Sequence, residues 1–347
     1  MQRVTIVGLG LIGGSIGLGL RRWSADQGKD GALQVTGFDS DLAQQQYAQK
    51  INAVDRAEWR LDKAVRDADL VVVCTPVATM RDLFADIAPH LQAGAVVTDV
   101  GSTKADVLRW ADSTLPTTVS FVGGHPMAGK AQSIEAAEAD LFKGATWCVC
   151  PSVRAGEDAI RTVLGLIAAV GAESYFVDPT EHDAYVAGVS HLPAVVSAAL
   201  MRSVSRDPSW RDMKTLSATG FRDVTRLAAG SPAMHRDILL TNRDAVGRWI
   251  DQLVTQLQEV RADLAADDRA DRLDRFFTEA RDARADWATQ TGREGELLQA
   301  TQDELGKTGI GDQMGRMLLG GLMGRRRTLP ERGGRGARSN GREERHG

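Results

Sequence analysis

Short β-branched and apolar runs alternate with amphipathic stretches through the first half of the chain. Beyond Phe176 the apolar positions keep only helical spacing. Residues 4–8, 34–38, 70–74, 95–98, 119–122 and 146–149 read as strands, and 13–23 as a helix. The run 70–74 is apolar throughout, as expected of a strand covered on both faces. Such alternation predicts a parallel, doubly wound α/β sheet over residues 1–177.

The second half reads as all-helical over 178–290. Residues 181–204 form a long apolar-rich stretch in which Pro193 predicts a kink. From 242 to 266 the apolar residues Val246, Ile250, Leu253, Leu257, Val260 and Leu264 alternate spacings of four and three, a heptad seam. Leu273, Phe276, Phe277, Ala280 and Trp287 make a further stripe. Helices this apolar predict a substrate and dimerisation domain that pairs with a second copy, a homodimer, with a monomeric helical cap as the alternative. Residues 291–324 are weakly helical, and 325–347 read as a disordered tail.

The 347 residues are ample for two domains. The net charge of −4 points to neither nucleic acid nor membrane as a partner. The charge is uneven, because residues 325–347 hold eight Arg against three Glu, a net of +5. The glycines among them, without apolar periodicity, predict disorder. No segment reads as long and apolar enough to span a membrane. Residues 1–22 lack a signal-peptide cleavage pattern and carry five glycines from Gly8 to Gly17. Cys74, Cys148 and Cys150 are odd in number and lack zinc spacing, so buried free thiols in a reducing cytoplasm are expected.

Those early glycines carry the first chemistry. Gly8-Leu9-Gly10-Leu11-Ile12-Gly13 is a G-x-G-x-x-G motif that follows a strand and opens a helix. That context turns a weak motif into a Rossmann-type dinucleotide signature. Gly8 permits the tight turn, Gly10 a close approach of pyrophosphate, and Gly13 close helix–strand packing. The phosphates would meet the unpaired N–H groups of the helix N-terminus. Asp39 ends the second strand, where a carboxylate accepts from ribose hydroxyls and repels a 2′-phosphate, so NAD is expected over NADP. The alternative for Asp39 is a turn cap with Ser40 and Asp41. Thr75-Pro76 and Asp99-Val100-Gly101-Ser102-Thr103-Lys104 follow the third and fourth strands and are candidates for lining the nicotinamide end. Ser102 is equally suited to N-cap the next helix.

Among six histidines, His125 stands in Gly123-Gly124-His125-Pro126-Met127-Ala128-Gly129, directly after a strand. Pro126 holds it extended, and an imidazole on such a loop suits general-base work near neutral pH. A hydrogen-bonded structural histidine is the other reading of that residue by itself.

With these motifs in hand, residues 4–249 resemble the prephenate/arogenate dehydrogenase family of tyrosine biosynthesis. The resemblance rests on Gly8 to Ser15, Gly101-Ser102-Thr103-Lys104, Gly124 to Gly129, Ser190-His191-Leu192-Pro193 and Gly220-Phe221-Arg222-Asp223-Val224-Thr225-Arg226, in that order. It implies NAD-dependent oxidative decarboxylation of prephenate, or of arogenate, a cyclohexadiene with a ring carboxylate and a 4-hydroxyl. It implies that His125 contacts the ring hydroxyl with Ser102 assisting near the nicotinamide. It further implies that Arg226 binds a substrate carboxylate and that His191 and His235 face the substrate. Three positions depart from the pattern: Ala194 where members often carry a second histidine, Lys130-Ala131-Gln132 where many are acidic, and His235 where many have tryptophan. These bear on prephenate against arogenate and on tyrosine feedback. Two other readings share the architecture. A 3-hydroxyacid or 6-phosphogluconate-type dehydrogenase would need a catalytic lysine in the helical half, where no matching motif is seen. A non-catalytic NAD-binding regulator would not need His125 and Arg226 together.

Overall fold

The structure is a computed structural model that describes residues 2–28, 32–129 and 132–307, with side chains through 289. The expected basic tail lies outside the described residues, and so does the expected extension beyond Lys307. The chain divides into two units, Met1–Gln302 and Asp303–Gly347, and the sheet and the site lie in the first.

Its α/β part runs β1 (Gln2–Val7), α1 (Leu11–Gln27), β2 (Leu33–Phe38), α2 (Leu42–Lys50), β3 (Arg56–Ala57), α3 (Leu61–Val65), β4 (Leu70–Val73) and α4 (Val77–Ile87). It continues through β5 (Val96–Asp99), α5 (Ala105–Thr114), β6 (Ser120–Pro126), β7 (Thr146–Pro151), α6 (Glu157–Ala169) and β8 (Glu173–Phe176). The strands form one sheet in the order β3-β2-β1-β4-β5-β6-β7-β8. Winding reverses between β1 and β4, and the crevice at their carboxyl ends is where such sheets take ligands. The all-apolar β4 is explained by its two covered faces. Leu70 and Val72 enter the core with Ile6, Ile16 and Trp147, whereas Val71 and Val73 enter the opposite core with Phe84, Val97 and Phe121.

Two features differ from the sequence expectation. The sheet is not wholly parallel, since β7 runs antiparallel to β6, with His125 opposite Cys148. The physical reason is the connection. Between β6 and β7 the described residues hold only a 3-10 turn at Ile134–Ala136, with no crossover helix of the kind that a parallel return requires. The edge strands β3 and β8 are also unforeseen. β3 has two residues, and three of the four residues of β8 are exposed, so neither carries a buried apolar signal.

The helical part comprises α7 (Pro179–Val186), α8 (Leu192–Ser205), α9 (Trp210–Met213), α10 (Thr219–Thr225), α11 (Pro232–Thr241), α12 (Arg243–Asp263) and α13 (Arg269–Lys307). The kink expected at Pro193 takes the form of a π-helical turn, Ala187–His191, between α7 and α8. Pro193 has no N–H for the carbonyl one turn back, so it sits in the first turn of α8 and the widened turn precedes it. Pro179–Ser205 is, against expectation, long and apolar enough to cross a membrane by length and composition. Only 22% of its most apolar window is buried within this chain. On α12, Val246 is buried while Leu257 and Leu264 are exposed, so the far end of the heptad seam is uncovered.

Candidate active site

The glycine loop leaves β1 at Gly8, whose φ of +97° suits glycine alone. A Cβ on Gly13 would fall 1.9 Å from the Gly8 carbonyl oxygen, so helix and loop pack at backbone distance, as the motif predicts. α1 begins at Leu11 and Ile12 with Gly10 as N-cap, and no side chain caps it. Its first N–H groups are therefore open to an anion. Asp39 does two things. Its Oδ2 accepts from Leu9 N at 2.7 Å and its Oδ1 from Asp41 N at 2.9 Å. The turn-capping alternative is thus present, and the same carboxylate also braces the glycine loop. Each oxygen keeps a second lone pair, which leaves room for ribose hydroxyls. Thr75, after β4, has a buried Oγ1 without a partner among the described residues, an orphan polar atom on the ligand side of the sheet, and Pro76 precedes α4 as its N-cap. An uncapped helix, a braced glycine loop and an orphaned hydroxyl fit a dinucleotide.

The loop after β5 is used differently from expectation. Asp99, Thr103 and Lys104 are buried, and the Lys104 ammonium pairs with Asp99 Oδ2 inside the protein. Asp99 also accepts from Gly101 N at 2.7 Å and Gly124 N at 3.2 Å, so it ties the β5 loop to the histidine strand. Ser102 is the residue of this loop that faces a cavity. It does not N-cap α5, whose first turn is bound instead by a carboxylate from the helical part. Asp183 Oδ1 accepts from Lys104 N at 2.7 Å and Oδ2 from Ala105 N at 2.9 Å.

His125, on β6, is 8% exposed. Its Nδ1 lies 2.9 Å from His182 Nε2, and His182 Nδ1 lies 2.8 Å from Asp183 Oδ1. For neutral rings this orders the protons in one direction. His182 donates from Nδ1 to the carboxylate, His125 donates from Nδ1 to His182, and His125 Nε2 keeps a free lone pair. Burial pushes His125 well below the ordinary imidazole range, with His182, the Lys104 charge and His191 acting in the same direction. An imidazole kept uncharged at neutral pH with one nitrogen free is equipped to take a proton.

Beside this group lies a cavity of about 560 Å³. Ser102, Ser190, His191 and His235 supply polar atoms to walls that are otherwise largely apolar, with Leu227 and Ile238 among them. His191 is buried on the π turn, and its Nε2 has no hydrogen-bond partner among the described residues. Burial holds it down to about 4 against the pull of the Asp183 carboxylate. His235 Nε2 is likewise buried without a partner. Arg226 is exposed and is not in the cavity wall, although Leu227 and Ala228 are. Among the described residues it has no ion pair, not even with Asp223. Ser102, His191 and His235 therefore line one cavity with Arg226 next to its wall, whereas His125 is not in the lining and stands near His191.

His182, Asp183 and Asn242 escaped the sequence reading. A Glu-His-Asp run at a helix start looks like surface, and His125, the partner of His182 on the sheet, stands 57 residues away, while the partners of Asn242 stand 51 or more away. The available signal was a histidine and an aspartate just ahead of a long apolar run, where a charge that becomes buried needs a partner.

A Rossmann-type crevice at the switch point and a buried histidine pair near a largely apolar cavity are the parts of a dehydrogenase with a nicotinamide dinucleotide cofactor. Residues 17–176 match the family model "Prephenate dehydrogenase, nucleotide-binding domain", and 178–279 match "Prephenate dehydrogenase, dimerization domain". The chain is 34% identical to prephenate dehydrogenase of Bacillus subtilis over 81% of its own length and 75% of that protein's. It is 30% identical to cyclohexadienyl dehydrogenase of Zymomonas mobilis, covering 82% and 95%. The solved prephenate dehydrogenase from A. aeolicus, in complex with hydroxyphenyl propionate and NAD+, superposes with a TM-score of 0.75 at 28% identity, covering 82% of this chain and 98% of that one. The chain belongs to the prephenate/arogenate dehydrogenase family.

Proposed function

We propose that the chain is an NAD-dependent prephenate dehydrogenase that works as a homodimer in the cytoplasm, converting prephenate to 4-hydroxyphenylpyruvate. The observation that carries the reading is the chain His125–His182–Asp183, which leaves His125 Nε2 free on a ring close enough to His191 of the cavity wall to feel it. His125 accepts the proton of the ring hydroxyl, and the positive charge it gains is shared through His182 with Asp183. The Ser102 hydroxyl orients the same substrate oxygen. Gly8, Gly10, Gly13, Asp39, Thr75 and Pro76 would hold a nicotinamide dinucleotide, which when bound would supply the acceptor for the hydride of the hydroxyl-bearing carbon. Loss of CO2 makes the ring aromatic, so orientation and proton removal are the main demands on the protein. Arg226, uncommitted to any side chain among the described residues, binds a substrate carboxylate with its planar fork of donors. His191 and His235 offer their unpartnered Nε2 atoms to the substrate.

A keto-acid side chain is favoured over an amino-acid one because the cavity wall includes no Asp or Glu among the described residues to hold an ammonium group. The arogenate reading remains the alternative. A hydroxyacid-type mechanism is disfavoured, since Lys104 is buried against Asp99 and, of the described lysines in the helical part, Lys214 stands on an exposed turn and Lys307 at the end of α13. The direct test follows nicotinamide reduction with prephenate and with arogenate, each with NAD and with NADP. The reading expects prephenate with NAD to be turned over fastest, and a preference for arogenate or NADP would overturn it. The dimer is supported by the exposed apolar end of α12, and light scattering that gives the mass of one chain would contradict it.

A further inference from the structure

Asn242 stands at the junction of α11 and α12, 6% exposed, and makes two side-chain contacts that belong to different arms of the site. Its Nδ2 donates to the Asp183 carbonyl oxygen at 2.7 Å and lies 3.2 Å from His191 Nδ1. The first contact sets the amide orientation, because a carbonyl oxygen can only accept. With an N–H group turned to it, His191 Nδ1 can only be the acceptor. The His191 proton is therefore on Nε2, the atom without a partner, on a ring that lines the cavity.

We propose that Asn242 is a positioning residue that fixes His191 as the Nε2–H tautomer, turned as a hydrogen-bond donor toward the substrate cavity, and ties that ring to the backbone of the residue that anchors the His182–His125 pair. The inference rests on the proposed function for the identity of the substrate, but not for the tautomer itself. The groups that face His191 are Asp183 and His182 from α7, His235 from α11 and the Ser102 backbone. A donor in this place suits an anionic or carbonyl oxygen of the substrate, whereas the other tautomer would present a lone pair and repel it.

The test is imidazole nitrogen NMR on the full-length protein labelled with 15N-histidine, without ligand, with the His191 signals assigned by His191→Gln. The expected wild-type spectrum shows His191 as the Nε2–H form at neutral pH. Asn242→Ala removes the donor and gives a mixture of tautomers. Asn242→Asp puts an acceptor against Nδ1, moves the proton there and raises the pH at which the ring titrates. Both variants lower kcat/KM by about tenfold, the value of one lost hydrogen bond, while calorimetric affinity for NAD stays unchanged. A wild-type Nδ1–H tautomer overturns the proposal whether or not the variants fold, as does a tautomer that neither variant alters. The expected tautomers in a protein that does not consume prephenate would count against the proposed substrate alone.

Discussion

His182 lies between His125 and Asp183, with its Nε2 2.9 Å from His125 Nδ1 and its Nδ1 2.8 Å from Asp183 Oδ1. The histidine from the sheet is thus oriented by a pair from the first helix after it. His182→Ala removes the acceptor that sets the His125 tautomer. The expected result in steady-state assays is a fall in kcat of about ten- to a hundredfold, somewhat less than loss of the base itself. Asp183→Asn should lower kcat too, and also destabilise the protein by about 1 kcal/mol because α5 loses its charged cap.

The buried histidines make the fold sensitive to acid. The unfolded chain titrates its imidazoles near 6.5, whereas burial holds folded His191 down to about 4 and His125 well below 6.5. A depressed histidine pKa means that the unfolded state binds protons first as pH falls. The stability contribution is therefore whole above about pH 6.5, declines below it, and for His191 stops declining near pH 4. For His191 the full loss is on the order of 3 kcal/mol. Urea midpoints should drop markedly from pH 7 to pH 5, and His191→Gln should flatten that drop. An unchanged midpoint across the window would show that the rings are not buried uncharged.

Lys104 and Asp99 form an ion pair with both side chains fully buried. Lys104→Met leaves the Asp99 carboxylate in the interior with only backbone donors, a cost of about 3–5 kcal/mol in urea denaturation. Adding Asp99→Asn to that variant removes the stranded charge and should restore part of the loss.

How much the sequence discloses depends on the range of the interaction. Gly8, Gly13 and Asp39 work within a strand–turn–helix unit, and their spacing announces them. The antiparallel β7 is hidden because β-branched patterning carries no direction. Ser102 and Lys104 sit two residues apart in one motif, yet one faces the cavity and the other is sealed against Asp99. The periodicity of a loop does not separate them. His182 acts across the junction of the two halves and Asn242 between segments of the helical half far apart in the chain, so their chemistry exists only once α7, the π turn, α12 and β6 have packed together.

Asp39 should set the choice of dinucleotide. Asp39→Ala removes a carboxylate that meets Leu9 N and stands where a 2′-phosphate would be repelled. Calorimetry should show weaker NAD binding and a narrower gap between NAD and NADP. A gap as wide as that of the wild type would mean that the residue only braces the glycine loop.

The central claim is that His125 is the base, and His125→Asn tests it most directly. Asparagine keeps a hydrogen-bonding side chain but cannot take up the hydroxyl proton. The measurement is kcat and kcat/KM for prephenate with NAD across the pH range, with NAD affinity followed by calorimetry. The wild type should lose activity on the acid side only below the ordinary histidine range, because the buried ring resists protonation. The variant should bind NAD normally, lose roughly 10²–10⁴-fold in kcat and show no acid limb. A variant with near-wild-type kcat and an unchanged pH profile would contradict the account.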